Sequence, residues 1–289
     1  MIYEVSHSTQ YDYDAPVATS FAEVRQLPDD VDGQVCVRRE VITEPRPEHQ
    51  REHRDYFGNL TATAVIRERH ERLVVTSSSL VDTSARPTTF GTHGRRPWTS
   101  YTAERAAADD LDAIEFSLDS ALVARSPLLA EYATPSFGDG VSLADGVMSL
   151  CGRIHADFAF DANATKVDTP LDEVMTLRRG VCQDFAHVMI GALRSIGLPA
   201  SYVSGYLETE PPPGQPRLAG VDRTHAWVGV LVGDGHWIGV DPTNDQLAGP
   251  RYVTAARGRD YSDVPPLKGV IFTDAKKSKL TVSVDVAAQ

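Results

Sequence analysis

Three side chains, far apart in the chain, have the types and local settings of a thiol nucleophile with its base and orienting acid. Cys182 lies in RRGVCQD (178–184), His225 in THAWVGV and Asp241 in WIGVDPTN. A thiol attacks as thiolate, so its surroundings must favour the anion. A helix N-terminus does this with its dipole and unpaired N–H groups. An imidazole takes the proton, and a carboxylate orients the imidazole. The same first-turn N–H groups can hold the oxyanion of a tetrahedral intermediate.

Positioning these groups requires a helix and a hairpin. Residues 182–196 read as a helix, with Phe185, Val188, Met189, Ala192, Leu193 and Ile196 inward and Gly197-Leu198-Pro199 as its stop. Gly180 is expected to supply the unusual backbone angles of the preceding turn. A strand over 200–207 and a polar, proline-rich loop over 208–223 follow. Residues 225–232 and 236–241 then form a hairpin about Gly233-Asp234-Gly235. On it, His225, Trp227, Gly229 and Leu231 share one face, as do Trp237, Gly239 and Asp241. Pairing about the turn brings His225 and Asp241 nearly opposite and pointing the same way. Asp241 then accepts from one ring nitrogen and leaves the other toward Cys182.

The neighbouring residues admit two readings each. Gln183 and Asp184 either shape the oxyanion or substrate site or form a solvated first turn whose acid complements the dipole. Trp227 and Trp237 either line an acyl-binding cleft or belong to the core. The loop over 208–223 is either a flap or a surface insertion. His187, five residues past Cys182 and off its helix face, reads as packed. Asp161, Asn163, Thr165 and Asp172 imitate part of a calcium loop, but Lys166 stands where the turn needs Gly, so an Asx-type turn is expected. No zinc-type Cys/His cluster occurs, and no metal or cofactor is expected.

Further upstream, residues 1 to 85 read as a separate β-rich domain, with alternating segments and turns at Pro28-Asp29-Asp30, Asp32-Gly33, Pro45–Pro47 and Phe57-Gly58-Asn59. Residues 86–118 read as a linker. Ser126-Pro127 starts a helix, and Leu143, Val147, Leu150, Cys151, Ile154 and Phe158 form a helical stripe that makes Cys151 a core residue. The alternation over 279–286 predicts a last strand, able to pair with either unit.

A net charge of -12 over 289 residues argues against nucleic acid or an anionic membrane as partner. The start lacks the pattern of a secretory signal, and no apolar run reaches bilayer length. Three scattered cysteines (Cys36, Cys151, Cys182) do not make a disulfide framework, so a reducing, cytoplasmic location is expected.

GVCQDFAHVMIGALRSIGLPASYVSGYL, THAWVGV and WIGVDPTN together resemble the transglutaminase-like core of the papain-type cysteine enzymes. YEVSHSTQYDYDAPV, DYFGN and LKGVIFTD resemble the bacterial transglutaminase-like proteins that carry a β-rich N-terminal domain. The resemblance implies an α+β fold: a Cys-bearing helix packed on an antiparallel sheet, preceded by a small β-sandwich-like domain. With it, residues 119–289 become the catalytic core with its C-terminal strand. It places the nucleophile on Cys182, the base on His225 and the carboxylate on Asp241. The family includes amide cross-linkers, deamidases, peptidases and amidases. The expected substrate is a peptide or protein amide, and the preferred reaction is hydrolysis by a peptidase or amidase. Glutamine transfer or deamidation is the alternative. A further one is a non-catalytic module that binds peptides along an edge strand.

Overall fold

The computed structural model describes residues 1–107, 110–208, 224–233 and 235–289. In chain order come β1 (Ile2–Val24), β2 (Val35–Glu44), β3 (His49–Arg54), β4 (Leu60–Ile66) and β5 (His70–Asp82). Next are α1 (Trp98–Ala107), α2 (Leu111–Glu115), α3 (Pro127–Ala133) and α4 (Leu143–Asp157). Then β6 (Ala159–Phe160), α5 (Leu171–Leu177) and β7 (Arg179–Gly180) lead into α6 (Cys182–Ser195). The chain continues with β8 (Ala200–Leu207), β9 (Thr224–Leu231), β10 (Trp237–Asp241), β11 (Gln246–Leu247) and β12 (Tyr252–Gly258), and ends in β13 (Leu267–Thr273) and β14 (Ser278–Ala288).

The first sheet is organised by β1, a strand long enough to serve two layers. Its pairing with β5 shifts register between Asp12 and Val17, at Pro16, which has no N–H to donate. Before the break β1 lies between β5 and β14; beyond it β1 lies between β4 and β13. Ala22, Val24 and the inward residues of β4 pack against Val41, Leu73 and Val75 of β2 and β5, so the two halves close on one core in sandwich fashion.

The boundaries expected from sequence change in two places. β13 and β14, grouped with 119–289, pair antiparallel with β1 and complete the N-terminal sheet. The physical reason is that so long a strand otherwise leaves one edge of N–H and C=O groups unpaired. The stretch 86–118 is not a bare linker: it carries α1 and α2 and buries Tyr101, Ala113 and Phe116.

The second sheet runs β11-β10-β9-β8-β12, antiparallel throughout. Ala226, Val228, Val230, Ile238 and Val240 join the core formed with α6. α3, α4 and α5 also pack against α6, so it is buried nearly all round rather than along one stripe. Its Arg194, 1% exposed, donates to the carbonyls of Phe116, Ala200 and Arg259, which satisfies a charge in the interior.

A separate cluster joins the two sheets: Tyr3, Val5, Val81, Val284 and Val286 meet Tyr206, Val253 and Ala255. Two side-chain amides fasten the outer edge of β12. Gln34 accepts from Thr254 N at 2.8 Å and donates to Thr254 O at 2.9 Å. Asn59, in the DYFGN turn, accepts from Arg257 N at 2.7 Å and donates to Arg257 O at 2.8 Å. Each amide stands in for a neighbouring strand on groups that an edge leaves open.

Candidate active site

α6 begins directly after β7. The left-handed residue of this turn is Arg178, at φ 52°, and not Gly180. Gly180 is required for space, because a Cβ there would lie 2.4 Å from Asp184 Oδ2. That carboxylate folds back to accept from Val181 N at 2.7 Å and from Thr165 Oγ1 at 2.7 Å. It caps the helix from its third position, as in a capping box. Burial raises its pKa against the lowering effect of those two hydrogen bonds.

Gln183 donates through Nε2 to Val167 O at 3.0 Å, tying the preceding loop to the helix start. The side chains of Gln183 and Asp184 are thus engaged in holding the turn. What this end of α6 offers a substrate is backbone: its hydrogen-bond ladder starts with Asp184 N and Phe185 N on Val181 O, leaving the N–H groups of Cys182 and Gln183 ahead of it.

The hairpin register differs from the expected one by a diagonal step. Val240 pairs with Val228 and Gly239 with Gly229, so Asp241 falls next to Trp227 rather than opposite His225. Because the offset is two residues, both side chains stay on the same face. The contact survives: His225 Nε2 lies 2.7 Å from Asp241 Oδ2. With Nε2 taken by Asp241, Nδ1 is the ring nitrogen left for Cys182, whose negative charge acts on the ring. Burial of the ring opposes its charge, but the hydrogen bond to Asp241 and the negative charges of Asp241 and Cys182 prevail, pushing its pKa up to about 10.

Asp241 is itself heavily supported. Oδ2 also accepts from Tyr252 Oη at 2.6 Å and Asn244 Nδ2 at 2.7 Å, while Oδ1 accepts from Thr243 N at 2.8 Å and Asn244 N at 3.3 Å. Gln246 Nε2 in turn donates to Tyr252 Oη at 2.6 Å. Burial works against the Asp241 charge, yet His225 and then Tyr252 and Asn244 hold its pKa below the usual carboxylate value. Sequence reasoning missed Asn244, Gln246 and Tyr252. Asn244 carried a signal in the DPTN turn, three residues from Asp241; Tyr252 carried none.

The remaining candidates fall as follows. Trp227 is buried, with its ring edge-on to Tyr252 at 5.2 Å, which makes it a wall beside the site. Trp237 packs against Phe116 at 5.1 Å and under Arg257 at 4.5 Å. His187 is packed against Tyr202 and accepts from Tyr261 N at 3.2 Å; burial pushes its pKa down to about 4. Cys151 is buried, its thiol directed at Asp241 O at 3.4 Å. Asp161 holds a turn through Asn163 N at 3.0 Å, while the Thr165 hydroxyl is spent on Asp184. No group of metal-binding residues occurs among the described residues. Of the expected flap over 208–223, all but Glu208 lies outside the described residues.

Two family models match the chain: the bacterial transglutaminase-like N-terminal region over residues 3–82 and the transglutaminase-like superfamily over residues 133–242. An uncharacterized protein of Mycobacterium tuberculosis is 41% identical over 290 residues, covering 98% of this chain and 92% of that protein. A protein-glutamine gamma-glutamyltransferase of Pseudomonas aeruginosa is 36% identical over 92 residues, 31% of this chain and 14% of that protein. The crystal structure of a candidate cysteine protease from Cytophaga hutchinsonii superposes with a TM-score of 0.71 at 20% identity, covering 98% of this chain and 90% of that one. That likeness is one of fold: a transglutaminase-like core with an N-terminal β domain, as the resemblance implied.

Proposed function

The chain belongs to the transglutaminase-like superfamily of papain-like cysteine enzymes, and from that premise we propose that it cleaves amide bonds of peptides or proteins through a thioester on Cys182. The observation that carries this reading is the placement of His225, hydrogen-bonded through Nε2 to Asp241 and near enough to Cys182, at the head of α6, for the charge of the one to act on the other. In the proposed reaction the thiolate adds to the amide carbonyl, and the first-turn N–H groups hold the oxyanion. The C–N bond breaks as the His225 imidazolium gives its proton to the leaving amine. Neutral His225 then takes a proton from water as the water attacks the thioester, and collapse expels the Cys182 thiolate with an acid as product.

Hydrolysis is the preferred outcome because water is everywhere available, whereas transfer to an amine needs a cleft that excludes it. The name of the Pseudomonas relative, over its short matched stretch, favours the second reading, transfer from glutamine to an amine. A reducing, cytoplasmic setting is part of the same proposal, resting on the three scattered cysteines of the sequence.

Two measurements test these readings. Iodoacetamide should modify Cys182 faster than Cys36, and His225→Ala should slow the reaction at Cys182 by roughly tenfold or more. Equal rates at the two thiols, or no effect of His225→Ala, would remove the nucleophile. A glutamine peptide assayed with and without a labelled amine then separates the outcomes. Ammonia release without amine supports hydrolysis; label incorporation without amine-independent release establishes transfer instead.

A further inference from the structure

We propose that the half-open cavity between the N-terminal unit and the second sheet is a separate ligand site, built for a small carboxylate with an apolar body. The cavity has a volume of about 320 Å³, near the lower end of ligand pockets. Its floor is the outer face of the second sheet, with Val203, Trp227, Trp237 and Ala255. Gly229 and Gly239 give the two indoles room to lie there: a Cβ on Gly239 would come within 3.2 Å of Trp227 Nε1, and one on Gly229 within 3.3 Å of Trp237 Cε3. Cys182, His225 and Asp241 do not line it.

The charges around the cavity are unequally matched. Asp29 is held by Arg54 and, at 3.2 Å, by Arg39. Asp30 turns away to accept from Cys36 N at 2.8 Å. Asp112 and Asp32 stand at the rim, their side chains 64% and 67% exposed, where water screens them. Arg257 stacks on Trp237 and has Asp112 at 3.9 Å. Arg86 differs from all of these. It makes no ion pair among the described residues and donates through Nη2 only to neutral oxygens, Gln34 Oε1 at 2.7 Å and Thr254 Oγ1 at 2.5 Å. Its Nε is buried without a partner. Burial lowers its pKa to about 10, with Asp32 the carboxylate acting against that fall.

A guanidinium held in place, short of an anion and on a cavity with a partly exposed indole, matches the two halves of an aryl or alkyl carboxylate: charge to Arg86, body to Trp237. Asp32, the rim carboxylate whose charge acts on Arg86, would then compete with such a ligand.

The test is a titration of the full chain with phenylacetate and with its uncharged analogue phenylacetamide, followed by tryptophan fluorescence. Phenylacetate should give a saturable change, and phenylacetamide should give none. Arg86→Gln should weaken phenylacetate binding by roughly tenfold or more, the usual size for a lost charged hydrogen bond. Asp32→Asn, at an exposed position, should tighten it several-fold. The site is overturned by the absence of saturation, by equal binding of phenylacetamide, or by full affinity in a folded Arg86→Gln protein. If Arg86→Gln does not fold, Asp32→Asn decides, and unchanged or weaker binding there overturns the site. The readout is binding alone, so its failure leaves the proposed cysteine chemistry untouched.

Discussion

Asp241 accepts hydrogen bonds from His225, Tyr252 and Asn244 side chains and from the backbone of Thr243 and Asn244. That arrangement fixes the carboxylate in both position and charge, and His225 depends on each. Asp241→Asn keeps the shape but removes the charge that holds the imidazole, and comparable changes in hydrolytic triads cost on the order of 10⁴ in rate. A similar loss is expected here in turnover of an amide substrate. Tyr252→Phe is the finer test, since Tyr252 is a positioning residue with no expected contact to substrate. Losing its donor raises the Asp241 pKa, so the acid limb of the rate profile should move to higher pH with KM little changed. A limb that stays in place would make Tyr252 merely structural. For His225 the sign runs the other way. Its folded pKa, about 10, lies above the ordinary 6.5, so its contribution to stability is complete below pH 6.5 and is lost as pH rises toward 10. Denaturant midpoints at neutral and alkaline pH should show this loss in the wild type and less of it in His225→Ala.

The first turn of α6 shows how closely sequence and packing are linked at the scale of one element. Gly180 and Asp184 occupy one small space, with the carboxylate lying where a Gly180 Cβ would go. Gly180→Ala should cost about 1–3 kcal/mol by overpacking, and Asp184→Ala about 1–2 kcal/mol by loss of the cap. The double variant should cost less than the sum, because removing the carboxylate relieves the clash. Chemical denaturation of the three variants measures that coupling; strict additivity would mean the two residues do not meet. Much of this was legible beforehand. The stripe of α4, the start of α6 and the β9–β10 hairpin follow from local periodicity and turn residues. The diagonal register of His225 and Asp241 could also be counted from the turn, because pairing outward from 233–235 sets Val228 against Val240 and Trp227, not His225, beside Asp241. Because side chains alternate, a two-residue error still put both groups on the correct face. Tyr252 escaped because its contact with Asp241 depends on β8 lying between β9 and β12, an order that no local pattern encodes. The partner of β14 escaped for the same reason.

Across the whole molecule, the two units are threaded rather than strung in sequence, because the chain leaves the first sheet at β5 and returns to it at β13 and β14. Their shared boundary contains a buried histidine whose protonation state is set by its neighbours. Tyr206 Oη donates to Gln26 O at 3.2 Å, so the contact of His7 Nδ1 with that oxygen, at 3.0 Å, requires Nδ1 to carry the hydrogen. Nε2 is then the acceptor, with Thr9 Oγ1 and Gln26 Nε2 both at 3.3 Å. A second proton would remove that acceptor and place a charge in the boundary between the units. Burial accordingly lowers the His7 pKa to about 4, as it does for His187 within α6. Folded values below the ordinary 6.5 mean that this stability is complete above pH 6.5 and is lost as pH falls toward 4. Each histidine should contribute about 1.4 kcal/mol of lost stability per pH unit across the middle of that window. His7→Gln and His187→Gln should each flatten the pH dependence of the urea midpoint, whatever they do to stability at neutral pH. For His7→Gln the separation of the two units, followed by limited proteolysis, should lose its acid sensitivity as well. Parallel pH slopes for variant and wild type would mean that acid weakens the molecule through its carboxylates and that neutral His7 is not what joins the two sheets.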